Sequence, residues 1–230
     1  MYKHVSYLWD DAKAAALAGN EVDLFIYRSN ILGADLRITN YGGGNTSVKL
    51  QDKDPLTGSE TEVMWIKGSG GDIGTLKKSG CAALYVDRLR SLTNVYRGLE
   101  HEDEMVELFN HCIFDLSSKA PSIDTPLHGF LPFKHIDHLH PDAAIAIAAS
   151  KDGEQITKEL FGGLIGWVGW QRPGFDLGLD LFFLFNGHKR LLHDFGKVVF
   201  AQHMPKEFRE ALMMSDWGQT SLHLEIGRAS

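Results

Sequence analysis

The stretch His135-Ile136-Asp137-His138-Leu139-His140-Pro141-Asp142 decides how this chain is read. Residues two apart on a β-strand face the same side, so His138 and His140 can present their imidazoles to one ion while Leu139 turns into the core. That is the geometry of a catalytic zinc site with a third ligand still to come and one position open. Ordinary paired histidines share this spacing, and spacing alone does not choose between the two. Asp137 and Asp142 are at hand as acceptors for the second ring nitrogens. The third ligand has to come from elsewhere, with His128, His188, His193, His203 and His223 as candidates. His203 follows a strand-like run, residues 197–202, which places it at a strand's end, where site residues are displayed. The alternative is a loop histidine with no duty.

Upstream lies Pro121-Ser122-Ile123-Asp124-Thr125-Pro126. Held near a metal, Asp124 is a candidate general acid or base; read blandly, the same residues are a capped turn. Further back are two glycine-rich turns, Gly44-Asn45-Thr46-Ser47 and Lys67-Gly68-Ser69-Gly70-Gly71. Glycine leaves their backbone N–H groups accessible, with hydroxyls, an amide and an ammonium nearby, which suits an anion nest. Neither has a G-K-[ST] ending or a GxGxxG pattern. A lone turn of this kind is more often a hairpin, but two on strand boundaries beside a metal candidate point to a phosphorylated small molecule.

Around these motifs the chain alternates helix and strand signals. Helices are expected over 10–18, 22–32, 84–92 and 101–114, with a terminal helix over 221–229. Strands are expected from 46 to 50, 63 to 66 and 198 to 200, with 51–62 as the loop of a hairpin. The apolar run 143–149 fits either a buried strand or a helix. No repeat, low-complexity tract or linker divides the sequence, so one α/β domain spanning 1–230 is the simplest organisation.

The 230 residues carry a formal charge of −7, with 43% apolar residues and two cysteines. That length supports a core without disulfides, and Cys81 and Cys112 have no metal-type spacing. An acidic balance without a Lys/Arg stripe argues against nucleic acid as partner. The N-terminal MYKHVSYLWDDAK lacks the basic-then-apolar order of a signal peptide. No run approaches the ~20 apolar residues that span a bilayer. A soluble cytoplasmic protein with no membrane partner is the expectation.

TNYGGGNTSVK (39–49), WIKGSGGDIGTL (65–76), PSIDTPLHGFLPFKHIDHLHPDAAIAIAAS (121–150) and GWVGWQRPGFDLGL (166–179), in this order, resemble the class II aldolase/adducin family. Within it, the aldolase portion of the bifunctional rhamnulose-1-phosphate aldolase/alcohol dehydrogenase proteins looks closest. The resemblance implies a three-layer fold, a central, mainly antiparallel sheet flanked by helices, and a homo-oligomer, a tetramer in the family. It makes His138, His140 and His203 the ligands of Zn2+. It assigns Gly44, Asn45, Ser47, Ser69, Gly70 and Ser122 to the substrate phosphate and Asp124 to acid/base duty. The implied reaction cleaves a ketose 1-phosphate, L-rhamnulose 1-phosphate in that subfamily, to dihydroxyacetone phosphate and L-lactaldehyde.

The sequence departs from the family pattern in places. His203 is followed by MPKEFREALMMSDWGQTS, in which Trp217-Gly218-Gln219-Thr220 looks like a displaced end of the family's third-ligand segment; residues 179–216 are atypical. Ile123 replaces a hydroxyl residue, and no dehydrogenase portion is expected within these residues. Two other readings stand beside the aldolase. One is a catalytically weak or inactive module used for assembly, as adducin heads resemble. The other is a cupin-like HxH protein, which would want a glutamate shortly after His140, where residues 141–149 contain none.

Overall fold

The computed structural model describes residues 8–39, 42–162, 165–169 and 172–187, together with the backbone of 221–225. Its centre is a five-stranded sheet in the order β3-β2-β1-β4-β5, formed by β1 (Asn45–Lys53), β2 (Glu60–Lys67), β3 (Cys81–Tyr85), β4 (His135–Leu139) and β5 (Ser221–Glu225). The first four strands pair antiparallel, and β5 runs parallel to β4.

The β1–β2 hairpin is longer than its polar sequence suggests, because both strands run on past the apolar residues into the stretch 51–62 and leave only 54–59 as the turn. Asp54 closes that turn: its Oδ1 accepts from the backbone N–H groups of Leu56 (2.9 Å) and Thr57 (2.8 Å), while its Oδ2 accepts from Tyr85 Oη (2.7 Å). Gly58 takes the positive φ of 71° that the reversal requires.

One face of the sheet is covered by α2 (Glu21–Ala34), where Phe25 packs with Val48, Val63, Trp65 and Ala83. The other face carries α3 (Val86–Ser91), α4 (Glu102–Leu108), α5 (Thr125–Gly129) and α8 (Phe175–Gly187). There Met64, Ile66, Ala82 and Leu84 of the strands meet Leu89, Met105, Phe109, Phe130 and Phe175. Helix, sheet and helix make three layers, as expected. Three further helices, α1 (Asp11–Ala16), α6 (Asp142–Ala148) and α7 (Gly153–Phe161), lie outside this core.

Two expected helices resolve differently. Residues 84–92 are not one helix: Leu84 and Tyr85 end β3, and the helix starts only at Val86. All five residues of β3 are buried, so the strand has no polar alternation to betray it. The terminal helix over 221–229 is also corrected, since Ser221–Glu225 is a strand paired with His135–Leu139. Its Ser-Leu-His-Leu-Glu pattern has period two, and an available β4 edge lets that pattern prevail. The ambiguous run 143–149 is helical, as α6. The expected strand at 198–200 lies outside the described residues.

The helical layer is fixed by two polar contacts. Glu102 turns its carboxylate onto the start of α8 and accepts the N–H groups of Phe175 and Asp176, capping a helix end that would otherwise bury unpaired donors. A Cβ on Gly174 would stand 2.0 Å from Glu102 Oε1, so glycine is needed there. On the strand side, buried Lys49 donates from Nζ to the carbonyls of Leu131 (2.5 Å) and Phe133 (3.0 Å), anchoring the segment that enters β4. Burial, with Arg90 adding to it and Glu62 opposing, lowers the Lys49 pKa to about 7.

The unfolded chain therefore binds a proton at Lys49 between about pH 7 and 10.4 that the native state does not. Stability should rise with pH across that window, and Lys49→Met should flatten the rise in urea unfolding at stepped pH. On the opposite layer, a Cβ at Gly33 of α2 would lie 2.1 Å from the backbone nitrogen of Gly74. Gly33→Ala should cost about 1–3 kcal/mol despite the roughly 1 kcal/mol gained in helix propensity. Gly80→Ala, whose nearest neighbour is a Leu76 methyl at 3.3 Å, should cost less in the same assay.

Candidate active site

The end of β4 brings the two motif histidines together. His138 and His140 are both buried, and their Nε2 atoms stand 2.8 Å apart. Their rings are tilted by 61°, with centroids 4.7 Å apart, so the nitrogens converge on one region. Antiparallel pairing sets Asn45 opposite His138. Just before it, Gly44 passes so close that a Cβ would lie 2.6 Å from the His138 carbonyl oxygen, and its φ is +77°. Glycine there lets the first turn reach the histidine strand.

Along β1, Ser47 and Lys49 share the face of Asn45. Ser47 Oγ lies 2.8 Å from Nδ1 of His128, which hangs from α5 with no solvent exposure. Burial, reinforced by His138, Lys49, Arg28 and Lys67, drives the His128 pKa well below its usual range, so its imidazole is neutral. His128 thus spends one nitrogen on Ser47, while its Nε2 has no partner among the described residues. Sequence reasoning had it only as a possible third ligand; its burial and Ser47 contact come from the tertiary structure.

Asp124 stands at the head of α5. Its Oδ2 accepts from Ser122 Oγ at 3.3 Å and lies 4.0 Å from His138 Nδ1, too far for a hydrogen bond. Its Oδ1 is buried without a partner among the described residues. Thr125 donates from Oγ1 to the Ser122 carbonyl at 2.6 Å, so the stretch is also the capped turn that the bland reading describes. Here the turn is what aims the carboxylate.

The second glycine turn reaches the same place. Ser69 donates its backbone N–H to the Ala120 carbonyl at 2.9 Å, docking the loop beside the segment that carries Ser122 and Asp124. Ser69 and Gly70 are exposed, and Gly70 takes a φ of 67°. Asp72 ties the two glycine turns to each other: Oδ2 accepts from the Gly42 N–H (3.3 Å) and Oδ1 from the Gly74 N–H (2.6 Å). Gly44, Asn45, Ser47, Ser69, Gly70, Ser122, Asp124, His138 and His140 therefore occupy one end of the sheet. His203 lies outside the described residues, as do His188, His193 and most of 179–216. Among the described residues no group of three His, Cys, Asp or Glu side chains surrounds a common point.

The fit of a divalent metal can be judged from the pair itself. A tetrahedral zinc with bonds of about 2.0–2.1 Å needs its two nitrogens roughly 3.3 Å apart. Widening the 2.8 Å separation by half an ångström or so is a small rotation of two rings. Two converging imidazoles with a carboxylate behind one of them suit such an ion.

On the opposite face of the sheet sits the support of the motif. Arg28 of α2 donates from Nη2 to the Ser47 carbonyl (2.7 Å), and the same nitrogen lies 3.0 Å from Asp137 Oδ1. Both side chains are buried. The ion pair therefore joins the strand that carries Ser47 to the residue just before His138. Alongside it, Ser29 Oγ and Thr46 Oγ1 are hydrogen-bonded at 2.7 Å.

The sequence profile of the Class II Aldolase and Adducin N-terminal domain matches residues 26–222, and the chain belongs to that family. The uncharacterized oxidoreductase YuxG of Bacillus subtilis (strain 168) is 44% identical over 173 residues. That match takes in 75% of this chain but 24% of the relative, so the chain spans about a quarter of that protein's length. Among solved structures, the N-terminal class II aldolase domain of a conserved protein from Thermoplasma acidophilum superposes with a TM-score of 0.67 at 28% identity. It covers 77% of this chain and 79% of that one. Among the described residues no helix is long and apolar enough to cross a membrane.

Arg28→Met should destabilise the protein by about 3–5 kcal/mol in urea unfolding, because it leaves the Asp137 carboxylate buried without its cation. The double variant Arg28→Met/Asp137→Leu should recover more than half of that loss.

Proposed function

We propose that the chain is a metal-dependent aldolase that cleaves a ketose 1-phosphate, L-rhamnulose 1-phosphate, to dihydroxyacetone phosphate and L-lactaldehyde. The observation that carries this reading is the convergence of His138 and His140 beside Asp124, at the sheet end where both glycine turns meet. An inactive assembly module needs neither the imidazole pair nor the buried carboxylate. The name of the Bacillus relative, an oxidoreductase about three times as long, fits a longer protein that joins an aldolase portion to other chemistry.

In this mechanism His138 and His140, with His203 as third ligand, would hold Zn2+. When bound, the ion supplies Lewis-acid stabilisation of the negative charge that develops on the substrate oxygens as the C3–C4 bond breaks. The backbone N–H groups at Gly44 and Gly70, with Asn45, Ser47, Ser69 and Ser122, hold the phosphate and so fix which carbon faces the histidines. Neutral His128 keeps the Ser47 hydroxyl in one orientation. Asp124 delivers a proton from its carboxyl to C3 once the aldehyde has formed, and takes one from C3 in the reverse, condensing direction. The C4 hydroxyl proton passes to a second group, supplied by a neighbouring subunit of a homo-oligomer, a tetramer in this reading. A cytoplasmic location belongs to the same proposal.

Coupling dihydroxyacetone phosphate release to its reduction, across a panel of ketose phosphates, tests the proposal. Cleavage of rhamnulose 1-phosphate should disappear with a chelator and return with zinc, and His138→Ala should be inactive with its fold retained. Asp124→Asn should lower kcat by about 10²–10⁴-fold. Activity indifferent to chelation would rule out the metal mechanism, and no turnover despite bound zinc would favour the assembly module.

A further inference from the structure

The side chain of Asp124 is weakly anchored. Ser122 Oγ reaches its carboxylate only at 3.3 Å, His138 Nδ1 stands 4.0 Å away, Oδ1 has no partner among the described residues, and the side chain makes no capping bond to α5. Its place is therefore set by the backbone. The Asp124 carbonyl accepts the N–H of Leu127 at 3.1 Å, and the N–H of Thr125 goes to the Ser122 carbonyl at 3.0 Å, so residues 122–127 form one hydrogen-bonded turn.

Whatever holds α5 thus holds Asp124. His128 ties this five-residue helix to β1 through Ser47 at 2.8 Å. A Cβ on Gly129 would stand 2.1 Å from Leu89 Cδ2, so α3 lies directly against its last turn. Its first turn is backed by α8. A Cβ on Gly178 would stand 2.8 Å from Pro126 Cβ, 3.0 Å from the Pro126 carbonyl carbon and 3.1 Å from the nitrogen of Leu127, the same N–H that holds the Asp124 carbonyl.

Neither side of that contact can give easily. The pyrrolidine ring of Pro126 is locked to its own backbone and cannot swing aside. The first turn of α8 is pinned in its turn: Glu102 accepts the N–H groups of Phe175 and Asp176, and Gly178 donates to the Gly174 carbonyl at 3.1 Å. Around the contact, Leu127 packs with Leu177, Leu181 and Val168. Much of the stretch 166–179, which no step of the reaction uses, is thereby gathered against the turn that carries the carboxylate.

We propose that Gly178 is a positioning residue for Asp124. With no side chain, it lets α8 back the first turn of α5 at the distance that leaves the carboxylate beside His138, and it acts through the turn 122–127 rather than on the substrate. This deepens the aldolase reading above and rests on it.

Kinetics of Gly178→Ala in the full chain test it. kcat should fall by about 10- to 100-fold with KM changed by less than about 2-fold, and zinc content should stay the same. In the Asp124→Asn background the same substitution should lower kcat by less than about 2-fold, because the group it displaces is already gone, whereas a merely structural glycine loses the same factor in both backgrounds. Adding Pro126→Gly to Gly178→Ala should restore part of kcat. Should Gly178→Ala fail to fold, Glu102→Gln, which removes one of the two acceptors at the start of α8, should show a smaller loss with the same dependence on Asp124. An unchanged kcat in Gly178→Ala, or an equal loss with and without the Asp124 carboxyl, would overturn the proposal. Crystal structures separate this outcome from the reaction. Asp124 displaced from His138 in Gly178→Ala, in a protein whose natural form cleaves no ketose phosphate, upholds Gly178 and sinks the aldolase reading. An unmoved Asp124 in a chain that does cleave sinks Gly178 alone.

Discussion

The buried contact of Arg28 with Asp137 and the Ser47 carbonyl is the constraint on which the site depends. It fixes β1 against β4 from the far side of the sheet. In that register Asn45 faces His138 and Thr46 faces Asp137, so the charged pair falls on the α2 side and the amide, hydroxyl and imidazole on the other. A slip of one residue would exchange the two faces. It would put a carboxylate where the histidine belongs and set Arg28 against a neutral strand. Burying two charges is expensive, but their specific partners make any other pairing of these strands more expensive still.

The same division explains the electrostatic character of the pocket. Arg28 and Asp137 neutralise each other behind the sheet, and Lys49 is pushed towards its neutral form by burial against carbonyls. His135, on the α2 face, has its pKa lowered to about 2, chiefly by burial, with Arg28 and two lysines adding to it. What stays in front of the sheet is a set of imidazoles and hydroxyls with one carboxylate, Asp124. Such a cluster suits a positive ion beside the histidines and an anion beside the glycine turns, since the Arg28–Asp137 pair on the far face need not be displaced.

Much of this was legible because local patterns carried it. The HxH spacing predicts two imidazoles on one side of a strand; His138 lies in β4 and His140 one residue past its end, with their Nε2 atoms 2.8 Å apart, and the two glycine turns predict strand boundaries, where Asn45 and Lys67 are strand ends. What sequence could not show is what depends on distant partners. The five buried residues of β3 carry no alternation, and Ser221–Glu225 becomes a strand because β4 offers it an edge. His128 looks like any helix histidine until Ser47, 81 positions away, meets it. Arg28 lies in the expected helix 22–32 with nothing in its local sequence to mark it, and its burial follows only from the carboxylate that β4 places under it. The third-ligand assignment, His203, lies outside the described residues and stays with the proposed mechanism.

The fold by itself does not choose between enzyme and assembly module, since family members keep the sheet whether or not they keep a reaction. The choice lies in side chains whose burial has no structural return. Asp124 Oδ1, the Asn45 amide and His128 Nε2 are all buried without partners among the described residues. Each unpaired group costs about 1–3 kcal/mol relative to one that is satisfied. A scaffold with only packing to do would lose little by replacing them with apolar residues of similar shape. Their joint presence at one end of the sheet, between two glycine turns and a histidine pair, is accounted for if a bound molecule supplies the missing partners. Those partners would be hydrogen-bond donors for the carboxylate, an oxygen for the amide and a hydrogen-bonding group for His128 Nε2. The stability forgone at these groups would then be recovered as binding energy, directed at the groups that the reaction has to hold still.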